Sequence, residues 1–217
     1  GTFQHSLMVA NLAEEAIYRI GGNPLLTRTG ALYHDIGKTY DPIFFIENQT
    51  GGINPHNQCD YDISAQHIIN HVTKGVELAK KYNLPEAIIN FIRTHHGKSK
   101  VKYFYNSFKN QYPDREIDES LFTYDGPDPV SRECSVVMMA DAVEAASRTL
   151  ADKTEENITK LVDNIIDNQV QEGRFANADI TFKDIGIVKK VFIEMLTSIY
   201  HSRIAYPKLE KKEDNQH

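Results

Sequence analysis

The sequence has few cysteines, no long apolar run and no surplus of positive charge. Only Cys59 and Cys134 occur among 217 residues, and they share no C-x-x-C spacing. That excludes a cysteine-built zinc knuckle and a dithiol redox motif, and the plain reading is two reduced thiols in a cytosolic chain. No apolar stretch reaches the ~18 residues needed to span a bilayer, and no signal peptide stands out. The sequons at Asn48 and Asn157 then read as chance matches. A net charge of −6 argues against general nucleic-acid binding, which relies on lysine and arginine to neutralise phosphates. An anionic substrate would have to be attracted by something local. There are no internal repeats and no alternating segments that read as paired strands.

What is present is helical periodicity. The hydrophobic share is 41% and the charged share 25%, ordinary values for one domain with a real core. Leu7, Met8, Leu12, Ile17 and Ile20 form an apolar stripe over residues 3–20, stopped by Gly21-Gly22-Asn23-Pro24. A second helix is expected over about 24–35. Residues 38–60 are rich in Asn, Gly and Pro and long for a structureless loop, which favours a functional one. Further helices are expected over 61–82, from Pro85 to near Gly97, over 129–149, and at 155–171 and 182–203 with Thr154 and Thr181 as caps. Between them, 98–128 is mixed, with a short helix at YFYNSFKNQYP. The chain reads as all-α: one domain over 1–207 and a charged tail over 208–217. Its first residues enter a helix directly, which suggests a domain cut from a longer protein.

The polar residues inside these helices carry the functional signal. His5 lies in the first helix, His34 and Asp35 end the second, His71 is in the third, His95 and His96 end the fourth, and Asp141 sits in an apolar fifth. A lone helical histidine is more often packed or exposed than a ligand, and His95-His96 could merely face a helix dipole. Asp141, however, is flanked by Met139, Ala140, Ala142 and Val143, and a buried carboxylate needs a partner or a metal. Five consecutive helices each carry a potential ligand. Adjacent helical residues point ~100° apart, so His34-Asp35 suits two neighbouring ions better than tight chelation of one.

His5, His34-Asp35 and Asp141 resemble the H…HD…D pattern of the HD-domain phosphohydrolases, and His71, His95 and His96 match the extra ligands of their binuclear subgroup. Longer stretches narrow the resemblance. GTFQHSLMVANLAEEA, YHDIGK, FFIENQ, NPH, HVTKGVELAKKYNLP, FIRTHHG, ADAVEAASR and HSRIAYP together are similar to the cytoplasmic HD domain of the seven-transmembrane HD receptor family, the PgpH-type cyclic di-AMP phosphodiesterases. No GYP follows His95-His96-Gly97, so the cyclic di-GMP enzymes with that motif match less well. The insert at 106–118 aligns with no function.

The resemblance implies a helical bundle with a binuclear centre. One ion would take His5, His34, Asp35 and Asp141, and the other Asp35, His71, His95 and His96, with Asp35 bridging. A metal pair can raise a nucleophile from water and clamp phosphate oxygens. Imidazole-rich ligands favour Fe or Mn over Mg or Ca. Asp35 and Lys38 would be the catalytic residues. Gly37 would let the chain turn sharply after the helix, so that Lys38 reaches back to a phosphate oxygen; the rival reading of Lys38 is an exposed cation at a helix C-terminus. Substrate contacts are also assigned to His56, which could equally decorate the loop, and to Arg203. His67 reads as a packing neighbour of His71, and His201 and His217 as surface. Tyr103, Phe104 and Tyr105 can stack on a base, or simply pack a helix face.

The implied activity is hydrolysis of a cyclic dinucleotide, cyclic di-AMP to linear pApA. The resemblance places it on the cytoplasmic face of a bacterial inner membrane, in a full-length protein joined to transmembrane helices, and allows a homo-oligomer. Two rivals stand beside it: a mononuclear HD nucleotidase or alarmone hydrolase, and a non-catalytic nucleotide-sensing module.

Overall fold

A computed structural model describes the chain except Thr50, Ile53, residues 202–217 and the side chain of His201. The tail and Arg203 therefore lie outside the described residues. α1 (Thr2–Ile20) buries Val9, Leu12, Ala13, Ala16 and Ile17 and stops at Gly21, whose φ of 82° is left-handed, a conformation glycine adopts without a Cβ penalty. Asn23 then caps α2 (Pro24–Tyr33) by accepting from the Leu26 amide, with Pro24 opening the helix. α3 (Tyr61–Lys81), α4 (Glu86–Thr94) and α5 (Lys102–Gln111) follow. Ser131 caps α6 (Arg132–Ser147) and Thr154 caps α7 (Glu155–Gln171). α8 (Phe182–His201) starts with a reciprocal pair, in which the Asp184 amide donates to Thr181 Oγ1 and the Thr181 amide to Asp184 Oδ2. That satisfies two otherwise orphaned donors at once.

No strand occurs among the described residues, and the fold is all-α. α1 packs on α2, α6 and α8; α3 packs on α4 and α5; α7 bridges α6 and α8. The main core runs through Leu12 and Ile17 of α1, Met139 and Val143 of α6, Ile158 and Ile166 of α7, and Phe192 and Leu196 of α8. Full burial of each such side chain contributes about 1.5–3 kcal/mol. α6 is enclosed on nearly every side, as expected of a helix without a clear polar face.

The expected boundaries shift in places. α2 stops at Tyr33 rather than 35, and α6 starts only at Arg132 because Ser131 is spent on its cap. The 38–60 segment is not structureless. It contains short 3-10 turns at Pro42–Phe44, Ile46–Asn48 and Pro55–Gln58. Asn48 ties it to α1, accepting from the Thr2 amide at 3.0 Å and donating to Thr2 Oγ1 at 2.9 Å. No helix of the described residues is long and apolar enough to cross a membrane.

Candidate metal centre

Three histidines are aimed by their own helices. The Nδ1–H of His34 donates to the Ala31 carbonyl at 2.6 Å, that of His71 to Ile68 at 2.5 Å, and that of His95 to Ile92 at 2.9 Å. A carbonyl only accepts, so each Nδ1 must carry a proton, which leaves Nε2 as the ring atom turned toward a cation. All three Nε2 atoms point into one buried space. There His71 Nε2 and His95 Nε2 stand 3.0 Å apart. His34 Nε2 and Asp35 Oδ1 have no hydrogen-bond partner among the described residues. Imidazole nitrogens and a carboxylate oxygen thus converge on one buried space, a donor set that suits a divalent cation.

The carboxylates complete the set. Asp35, two residues past the end of α2, is 1% exposed. Its Oδ1 lies 3.3 Å from His71 Nε2 and 3.6 Å from His95 Nε2, while its Oδ2 lies 3.4 Å from His34 Nε2 and 3.6 Å from His5 Nε2. Each oxygen thus faces a different pair of histidines. Asp141 of α6 turns Oδ1 to His5 at 2.9 Å and to His34 at 3.6 Å, and Oδ2 to His96 Nδ1 at 3.7 Å. Three groupings have the compactness a metal needs: His5 with His34 and Asp35, His71 with His95 and His96, and His34 with His95 and Asp141. All seven sequence-assigned residues therefore gather in one place.

The protonation states fit such a centre. Burial pushes His96 down to about 3, and burial with the neighbouring imidazoles holds His95 well below its ordinary range, so both are neutral donors. Burial alone would raise the Asp35 and Asp141 carboxyls. Lys38 and His34 pull Asp35 well below the carboxylate range, and His34 and His5 do the same for Asp141. Burial opposes charge on His5 as well, but hydrogen bonds to Asp141 and Glu144 raise it to about 10. Histidine and carboxylate groups are placed to hold metal ions.

The structure adds residues that the motif did not reveal. Glu144, one turn beyond Asp141, accepts from His5 Nδ1 at 2.5 Å and is itself clamped by Arg148 at 2.6 and 2.7 Å. This carboxylate fixes the His5 ring and leaves its Nε2 toward the cluster, an arrangement usual behind metal-bound histidine. Tyr124 stacks on His96 with ring centroids 4.3 Å apart. The burial of Glu144 follows from the enclosure of α6 in the packed bundle.

Lys38 is not an exposed helix-end cation. It sits in a 3-10 turn at Ile36–Thr39, its side chain only 14% exposed, with Nζ 2.7 Å from Asp35 Oδ2 and 2.8 Å from Glu47 Oε1. Those two carboxylates outweigh burial and keep it charged. Gly37 does not provide a left-handed turn. A Cβ there would fall on the His71 carbonyl oxygen of α3 and 2.5 Å from the Gly75 amide nitrogen, so glycine permits two backbones to cross. His56 stands apart from the cluster, donating from Nε2 to the Phe44 carbonyl at 2.8 Å. His67 stacks on Phe44 at 3.9 Å. Arg203, His217 and the His201 side chain lie outside the described residues.

Comparison with known proteins agrees with this architecture. The family model of the HD domain matches residues 2–146. The chain is 42% identical over 212 residues to cyclic-di-AMP phosphodiesterase PgpH of Bacillus subtilis (strain 168), covering 98% of this chain and 30% of that protein. It is 42% identical over 207 residues to PgpH of Listeria monocytogenes serotype 1/2a (strain 10403S), covering 95% and 29%. The chain thus spans about 30% of the length of these curated relatives. Among solved structures, the L. monocytogenes PgpH HD domain in complex with cyclic-di-AMP superposes with a TM-score of 0.88 at 42% identity, over 92% of each chain. From the first turn of α1 to the end of α6, and through the buried cluster those helices enclose, this chain belongs to the HD domain family.

Proposed function

We propose that this domain is a metal-dependent phosphodiesterase that opens cyclic di-AMP to linear pApA. The observation that carries the reading is the division of Asp35, whose two oxygens each face a separate pair of histidines. A carboxylate so placed would suit two ions, one on each side. His5, His34, Asp35 and Asp141 would hold one, and Asp35, His71, His95 and His96 the other. Five imidazoles and two carboxylates suit Fe or Mn, because Mg and Ca prefer oxygen donors. When bound, two such ions supply Lewis acidity and a nucleophile from water at neutral pH.

The chain's own groups do the rest. The three i−3 carbonyl bonds hold the His34, His71 and His95 rings at fixed angles. Lys38 places a positive charge 2.7 Å from Asp35 Oδ2, within reach of a phosphate oxygen brought to the centre. Displacing Glu47 from Lys38 would free that charge for the substrate. Burial of the cluster keeps the local dielectric low, which strengthens each of these interactions. The names of the PgpH relatives and the cyclic-di-AMP complex support the substrate. In the full-length protein we place the domain on the cytoplasmic face of a bacterial inner membrane, joined to transmembrane helices.

Metal analysis of anaerobically purified protein, together with a cyclic-dinucleotide panel, tests this. Close to two ions per chain are expected, with a higher kcat/KM for cyclic di-AMP than for cyclic di-GMP. Asp35→Ala should lose both ions and turnover, and Asp141→Ala chiefly one ion. One ion in fully loaded wild type would favour a mononuclear nucleotidase, and binding without turnover a sensing module.

A further inference from the structure

His34, His71 and His95 are held by carbonyls of their own helices, but among the described residues no such bond orients His96. His96 stands just past the end of α4. Its Nδ1 is 3.7 Å from Asp141 Oδ2, and its side chain is the most exposed of the seven cluster residues, at 25%. A ligand placed beyond its helix takes its direction from the backbone turn that carries it. Here the Gly97 amide donates to the Thr94 carbonyl at 2.9 Å and the Ser99 amide to the His96 carbonyl at 3.0 Å.

Residues 124–128 clamp that turn from outside. The Tyr124 amide donates to the Ser99 carbonyl at 2.9 Å, and its ring covers the His96 imidazole. Asp128 meets the other side of the turn. Its Oδ1 accepts from the Lys98 amide at 3.0 Å and lies where a Cβ on residue 97 would fall. Asp128 is held in turn from a distant part of the chain. Arg174, in the connection between α7 and α8, donates from Nη1 to Asp128 Oδ1 at 3.1 Å, with Oδ2 at 3.5 Å. The Arg174 side chain is 14% exposed, so salt and water screen this pair less than a surface one. The Arg174 amide donates to the Gln169 carbonyl at 3.0 Å, which fixes its backbone to the last turn of α7.

We infer that Asp128 and Arg174 are positioning residues for His96: through this ion pair the connection between α7 and α8 holds the turn from which His96 reaches the ion it shares with Asp35, His71 and His95. Neither residue is a metal ligand. The inference rests on the two-ion reading proposed above. It gives the chain beyond residue 146, where the HD match ends, a part in the metal site.

Mn²⁺ titration against a competing chelator tests it, with amide hydrogen exchange of the metal-free protein and melting temperature on the same preparations. In Asp128→Ala and Arg174→Ala one ion should bind roughly 10- to 100-fold more weakly, while the other binds as in wild type. The Lys98 amide loses its acceptor in Asp128→Ala and should exchange faster even without metal. Asp128→Asn keeps an oxygen for that amide without the charge, and Arg174→Lys keeps the charge without the planar fork. Both should fall between wild type and alanine, and they carry the test if an alanine variant does not fold. Arg132→Ala is the control. It removes an ion pair at 3.1 Å to Asp179 of the same connection, away from the ligand turn, and should leave both ions bound as in wild type. Equal weakening of both ions in the Asp128 and Arg174 variants, no weakening of either, or the same one-ion loss in Arg132→Ala would overturn the positioning role alone. A wild type that binds a single ion would overturn the two-ion reading and this inference with it.

Discussion

At the scale of single residues, two carboxylates hidden from the motif have measurable roles. Glu144 holds His5 through a 2.5 Å bond and is held in turn by Arg148. Glu144→Gln keeps the shape but weakens the acceptor. Metal affinity, measured by titration against a competing chelator, should fall roughly 10- to 100-fold, with helical content unchanged; equal affinity would mean that His5 needs no such support. Glu47 is the other. Its pairing with Lys38 changes what removal of the lysine should do. Lys38→Ala leaves Glu47, largely buried, without its cation, and an unsatisfied buried acceptor costs about 1–3 kcal/mol. The melting temperature should therefore fall by several degrees. Metal content should hold, and kcat should drop ~10²-fold if Lys38 stabilises developing phosphate charge. Lys38→Arg should recover only part, since a planar fork places its charge differently. An unchanged melting temperature would return Lys38 to the role of a solvated cation.

At the scale of elements, the helices were legible because their apolar stripes recur with helical period, and the caps at Thr154 and Thr181 were written in side-chain chemistry. That seven histidines and aspartates would share one space was legible from their type and from their placement one helix after another. Glu144 was not, because a glutamate in a helix is ordinarily solvated and only the enclosure of α6 shows otherwise. Gly37 was misread for a similar reason. A glycine after a helix suggests a turn, and only the packed structure reveals that α3 passes against it. Gly37→Ala should push the Ile36–Thr39 turn off α3, costing about 1–3 kcal/mol in urea unfolding and displacing Asp35 from His71, so that metal occupancy falls too. Gly186 of α8, where a Cβ would meet nothing within 4 Å, is the control: Gly186→Ala should be neutral or stabilise by about 0.4–1 kcal/mol. Equal effects at the two sites would remove the close crossing as the explanation.

At the scale of the whole molecule, the cluster is a property of the assembled bundle. His5 and Asp141 are 136 residues apart in the chain, and His71 and His95 are 24 apart. No short segment contains either proposed ion site complete, so the unfolded chain offers a cation little to grip. Joining such distant points is entropically slow, which places maturation of the site after the helices have docked. Interactions absent from the folding barrier act on escape from the native state rather than on entry to it. Stopped-flow refolding should therefore run at the same rate with or without Mn²⁺, while unfolding in denaturant slows severalfold when Mn²⁺ is present. Faster refolding with the ion would mean that part of the cluster forms early. In kinetic terms the dispersed ligands would make the metal a latch rather than a nucleus, closing on a chain that has already found its shape.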